Sequence, residues 1–62
     1  MPILRVEMWE GRSVEQKRRL ARELTDVFAS VVDCDPSSVR IVITDVAKDN
    51  WAIGGELQID RE

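Results

Sequence analysis

Histidine and tyrosine are absent from this 62-residue chain, and cysteine occurs only once. Neither histidine nor tyrosine is therefore available for acid–base work, and Cys34 has no histidine to activate it, so it reads as a small side chain in a turn rather than a nucleophile. A single thiol cannot close a disulfide within the chain, and without histidine or a cysteine cluster no metal site is expected. No Gly-rich phosphate loop is present, and no serine stands beside a visible base. No apolar run approaches the ~20 residues of a membrane span, and the amino terminus lacks the basic stretch and apolar core of a signal peptide. Neither membrane association nor export is expected, and an unpaired thiol suits the reducing cytosol.

Hydrophobic residues make up 44% of the chain and charged residues 34%, too apolar a balance for a disordered segment. Nine Lys and Arg are scattered among twelve Asp and Glu, giving a net charge of -3 and no long-range attraction for a phosphate backbone. Nucleic acid is thereby disfavoured as a partner. A chain this short buries only about 60% of its unfolded surface, so a lone protomer would be marginal. With disulfides and metals unavailable, association is the remaining means of completing a core.

From Pro2 to Trp9 the residues alternate, with Leu4, Val6 and Met8 on one face of a strand and Ile3, Arg5, Glu7 and Trp9 on the other. Glu10, Gly11 and Arg12 break the pattern. Ser13 with Gln16 three residues later is a capping-box signature, which places a helix start at about Val14. Leu20, Leu24, Val27, Phe28 and Val31 recur at three- and four-residue spacing and build an apolar stripe, with Lys17, Arg18, Arg22, Glu23 and Asp26 mostly off it. Asp33, Asp35 and Pro36 then end the helix.

Val39 to Val46 reads as a second strand, with Val39, Ile41 and Ile43 on one face and Arg40, Val42, Thr44 and Val46 on the other. Strand, long helix and strand in one short chain predict a βαβ unit with parallel strands, in the α/β class. The helix can cover one sheet face only, and a second copy of the chain is expected to cover apolar surface left open. Lys48, Asp49 and Asn50 form a polar turn, and Gly54-Gly55 marks a sharp bend or hairpin. Glu56 to Ile59 is expected as a brief edge strand. A single domain over residues 1–62 follows, without linker or repeat.

Met1-Pro2 supplies one unconventional base. Initiator methionine is normally removed before a small second residue, which would leave Pro2 with a free secondary amine. An α-amino group titrates near ~8, and burial or nearby cations favour its neutral, proton-accepting form. Arg12 and Arg40 are candidate cations. A solvated arginine near a helix start is the ordinary reading of Arg12, whereas Arg40 stands among Val39, Ile41 and Val42, where an unpaired guanidinium is costly to bury. Arg40 therefore wants an anion, either a protein carboxylate or a carboxylate substrate. Trp51 on its own reads as core or interface.

Taken together, Met1-Pro2-Ile3, Glu10-Gly11-Arg12-Ser13, Ser38-Val39-Arg40 and Gly54-Gly55-Glu56, in that order, resemble the 4-oxalocrotonate tautomerase family over almost the whole chain. That resemblance implies a β-α-β protomer completed by homo-oligomerisation, as a dimer and further as a hexamer of three dimers, with active sites built from several chains. It implies Pro2 as general base, Arg40 holding one carboxylate and polarising the adjacent keto oxygen, and Arg12 binding the far carboxylate. Arg12, Arg40 and Trp9 are expected to contact a small carboxylate substrate. Trp51 stands where such enzymes usually have phenylalanine, an aromatic that excludes water around the proline. The implied reaction is a 1,3 or 1,5 proton shift in an unsaturated 2-hydroxy or 2-keto acid, with no cofactor. A hydratase-like dehalogenase, a decarboxylase and a non-catalytic small oligomer are the alternatives. A hydratase needs a water-activating carboxylate in the apolar hairpin, where Ile53 and its neighbours provide none.

Overall fold

The alternation of β1 (Ile3–Trp9) translates directly into two unlike faces. In a computed structural model describing residues 1–62, Leu4, Val6 and Met8 are half-buried beneath a helix, while Ile3, Arg5 and Glu7 are exposed on the opposite side. β2 (Arg40–Val46) repeats the pattern, with Ile41 and Ile43 on the covered face. The two strands pair in parallel, in a register that runs from Ile3 opposite Arg40 to Trp9 opposite Val46. The crossover between them is α1 (Val14–Val32), so the β-α-β unit with parallel strands is as expected. Val39, expected as the first residue of the second strand, instead caps the turn before it and is one of only two buried residues, the other being Ala29.

The capping box forms as expected from the sequence. The Ser13 hydroxyl accepts from the Gln16 N–H at 3.1 Å, and the Gln16 side-chain oxygen accepts from the Ser13 N–H at 2.9 Å. Ser13→Ala removes one of these bonds and should cost about 1 kcal/mol, read as a lower urea midpoint at fixed protein concentration. At the other end Asp33 takes a left-handed conformation (φ 57°) and its N–H returns to the Ala29 carbonyl. Pro36 does not act directly on α1; it opens a short 3-10 turn (Pro36–Ser38) that leads into β2.

Two details of the helix differ from the periodic reading. Leu20, Leu24 and Phe28 face the sheet, but Val27 and Val31 are 62% and 77% exposed, so the apolar stripe overhangs the edge of the two-stranded sheet. A stripe drawn from spacing alone records what the helix can bury, not how much sheet one chain supplies. Lys17, placed off the stripe by its charge, lies on the inward side and pairs with Asp45 of β2. Asp45 interrupts the Ile41–Ile43 face, and Lys17 neutralises it where both are only partly solvated.

Beyond β2 a 3-10 turn (Lys48–Asn50) leads to β3 (Ala52–Ile53), which pairs antiparallel with β4 (Glu56–Leu57). Gly54 and Gly55 both have positive φ, 59° and 87°, as a two-residue type I′ hairpin turn requires. The edge strand expected to run from Glu56 to Ile59 stops at Leu57, because Gln58–Asp60 turns into a 3-10 segment. No helix is long and apolar enough to cross a membrane.

The chain is more extended than a compact monomeric domain of its length. The radius of gyration is 14.6 Å with extents of 43 × 25 × 15 Å, against about 11 Å for a compact domain of this length. The accessible surface is 4788 Å², where a folded monomer of this mass exposes about 4,100 Å². The excess of roughly 700 Å² approaches the ~800 Å² that each partner contributes to an ordinary stable interface. Ile3 and Val42 on the open sheet face, with Val27 and Val31 on the overhanging helix flank, account for the character of that excess.

Candidate active site

Pro2 and Arg40 meet at one end of the sheet. The parallel register sets Arg40 beside Ile3, and the Arg40 N–H donates to the Pro2 carbonyl at 2.9 Å. The approach to Arg40 is fixed by the turn before it. The Asp35 carboxylate accepts from the Ser37 N–H and the Ser37 hydroxyl, both at 2.9 Å, and the Ser38 hydroxyl donates to the Asp35 carbonyl at 2.7 Å. The Ser37 backbone bond, followed by its hydroxyl, holds the Asp35 carboxyl below the ordinary range. A depressed carboxylate contributes stability above its unfolded pKa and loses it as pH falls through the folded one, so this turn loosens only in acid.

The Arg40 guanidinium donates through Nη1 to the carbonyls of Ser37 at 2.9 Å and Val39 at 3.4 Å. No carboxylate of the chain pairs with it. Of the two answers to its charge, a carboxylate within the same protomer is therefore not used. Arg40 is also exposed rather than embedded, because Val39 and not Arg40 occupies the buried position at the start of β2.

Arg12, Trp9 and Trp51 lie at the opposite end. Gly11, with φ 109°, turns the chain out of β1, and Arg12 lines an open depression of about 260 Å³ with Met8, Gln16, Lys17 and Leu20. Arg12 forms no ion pair within the chain. Trp9 and Trp51 make an edge-to-face pair with centroids 5.7 Å apart and planes at 75°. Lys48 Nζ sits 5.3 Å from the Trp9 ring centroid and 2.7 Å from the Glu62 carboxylate, which its hydrogen bond holds below the usual range. The Trp9 indole Nε1 is buried without a partner.

The sequence-derived residues thus fall into two groups, Pro2 with Arg40 and Arg12 with Trp9 and Trp51, separated by the full length of β1, about 20 Å at ~3.3 Å per residue. The Trp9–Trp51–Lys48 cluster was not foreseen. Its signal lay in the parallel register, which ends Trp9 beside Val46, five residues before Trp51.

Comparison with known proteins matches residues 2–61 to the family described as tautomerase enzyme. The chain belongs to the tautomerase family. A 2-hydroxymuconate tautomerase of Pseudomonas putida is 46% identical over 57 residues, covering 92% of this chain and 90% of the relative. A 2-hydroxymuconate tautomerase of Stutzerimonas stutzeri is 43% identical, covering 90% and 89%. Among solved structures, a chain of the heterohexameric 4-oxalocrotonate tautomerase from Chloroflexus aurantiacus superimposes with a TM-score of 0.93 at 39% identity over the whole of both chains. Family, fold and tautomerase activity are thereby established for this chain, and the family resemblance read from its four motifs is borne out.

Proposed function

We infer that this tautomerase moves a proton within unsaturated 2-hydroxy or 2-keto dicarboxylates of the 2-hydroxymuconate type, with the free amine of Pro2 as general base. The observation that carries the reading is the division of positive charge. Two arginines without carboxylate partners stand at opposite ends of a ~20 Å sheet, the separation expected if a two-carboxylate substrate is gripped by groups from different chains.

In this mechanism the Pro2 nitrogen accepts a proton from one position of the conjugated acid and returns it further along, so no net charge and no co-reactant are consumed. Arg40, at the Pro2 end, offsets the negative charge that develops on the oxygen next to the first carboxylate. Arg12 of another protomer binds the far carboxylate, and the paired indoles of Trp9 and Trp51 from that protomer wall the site against water. Removal of Met1 is required, because in the peptide bond to Met1 the proline nitrogen carries no basic lone pair. The reaction needs neither metal nor cofactor.

Substrate ranking tests the reading. Ketonisation of 2-hydroxymuconate or phenylenolpyruvate should exceed halide release from a haloacrylate by orders of magnitude in kcat/KM, and the reverse order would replace the tautomerase chemistry with that of a hydratase-like dehalogenase.

A further inference from the structure

Asp35 is the hub of the turn before β2. Its carboxylate accepts from the Ser37 N–H and hydroxyl, both at 2.9 Å, and its carbonyl accepts from the Ser38 N–H at 2.9 Å and the Ser38 hydroxyl at 2.7 Å. The Ser38 N–H and the Ser37 carbonyl belong to one planar peptide unit, so fixing the first aims the second. The Ser37 carbonyl is aimed at Arg40, whose Nη1 donates to it at 2.9 Å. A peptide unit already bonded at its N–H is also the stronger acceptor, because hydrogen bonds in a chain polarise one another. Asp35 makes no ion pair with Arg40. Its hold on the guanidinium passes through Ser37.

The anchored side chain has two unlike edges. Nη1 is committed to the main-chain carbonyls of Ser37 and, at 3.4 Å, Val39, while Nε and Nη2 bond no acceptor of the chain. Nε and Nη2 lie along one edge of the planar fork, where two parallel N–H groups match the two oxygens of a carboxylate. An exposed arginine loses rotamer freedom when it binds an anion, and one tethered at Nη1 has surrendered much of that freedom beforehand. We propose that Asp35 is a positioning residue for Arg40: by clamping Ser37 it holds the Ser37 carbonyl on Nη1 and presents the Nε–Nη2 edge to the substrate. The clamp rests on the hydrogen bonds alone; its effect on turnover rests on the role inferred for Arg40 above.

Two substitutions at Asp35 separate the acceptor from the charge. Asp35→Ala removes the acceptor and should lower kcat by about tenfold with assembly intact by native mass spectrometry, less than the ~10²-fold that misplacing a catalytic group by an ångström can cost. Asp35→Asn keeps an oxygen acceptor of equal capping strength and should stay within about twofold of wild type. A turn that merely supported the strand would lower the melting temperature and leave the kcat of the folded protein alone. In an Arg40→Ala background, Asp35→Ala should lower kcat no further, because the group it positions is gone. An equal loss in both backgrounds overturns the proposal and routes the turn through Pro2 instead, whose carbonyl accepts from the Arg40 N–H. Unchanged kcat in Asp35→Ala, with Arg40→Ala impaired, overturns it as well.

The guanidinium itself gives a readout that needs no substrate. Anchoring at Nη1 hinders rotation about the Nε–Cζ bond, so the Arg40 Nη1 and Nη2 signals in a nitrogen NMR spectrum, assigned by their absence from Arg40→Ala, should be resolved in the wild type and in Asp35→Asn and averaged in Asp35→Ala. Signals that stay resolved in Asp35→Ala, or that are averaged in the wild type, overturn the clamp. The same experiment keeps the two ideas apart. Wild-type kcat in Arg40→Ala would remove the inferred role of Arg40 in the reaction, and the NMR signals would still decide whether Asp35 holds its side chain.

Discussion

A chain that keeps Met1 should assemble normally and lose kcat/KM by about 10²–10⁴-fold, the contribution of a positioned general base. With no histidine or tyrosine, the candidates for a base near neutral pH are the carboxylates and the Pro2 amine. A carboxylate held between Arg12 and Arg40 would be driven further toward its ionised form and become a poorer base, whereas the same two cations favour the neutral form of an amine. The pH dependence therefore distinguishes them. With Pro2 as base, kcat/KM should rise through a single ionisation well above the carboxylate range and level off once the amine is neutral. Intact mass fixes which form is present, and a Met1-retaining protein with wild-type kcat/KM and wild-type assembly would remove Pro2 from the chemistry.

The strands, the helix and its amino-terminal cap were legible because each is a local event. Alternation in Ile3–Trp9, the Ser13–Gln16 box and the Gly54-Gly55 turn each need only a few neighbouring residues. The errors came where the outcome depends on what a segment packs against. Val27 and Val31 satisfy the helical spacing yet remain open, because a two-stranded sheet is too narrow to meet them. Lys17 groups by charge with the residues mostly off the stripe, although a carboxylate 28 residues away draws it inward. The candidate site is proposed from the sequence as a set of residue types and not as a place. Pro2 and Arg40 become neighbours only through the parallel register, and that same register carries Arg12 and the two tryptophans to the far end. A parallel β-α-β unit necessarily separates the start of β1 from the loop that follows it, so this chain can unite its two arginines around one substrate only by lending one of them to another copy.

That separation gives the two arginines distinguishable kinetic signatures. In the proposed mechanism Arg40 faces charge that grows along the reaction, so Arg40→Ala should lower kcat by about 10²–10³-fold, as for loss of one donor to a developing oxyanion. Arg12, in the same proposal, binds a carboxylate whose charge does not change, and loss of one charge-assisted contact worth about 1.5–3 kcal/mol should raise KM some 10- to 100-fold with kcat less affected. Near-wild-type kinetics for both variants in an assembled protein would dissolve both assignments. The proposed service of Arg12 to another chain's Pro2 is testable by complementation. A Met1-retaining chain and an Arg12→Ala chain are each impaired, but in a two-fold pair containing one of each, the Pro2 amine of the Arg12→Ala chain meets the intact Arg12 of its partner. Co-refolding equal amounts should form such pairs in about half of the dimers, each with one good site of two, and so recover up to about a quarter of wild-type turnover at low substrate. If Arg12 served the Pro2 of its own chain, every site in the mixture would carry one lesion and activity would stay at the average of the two parents.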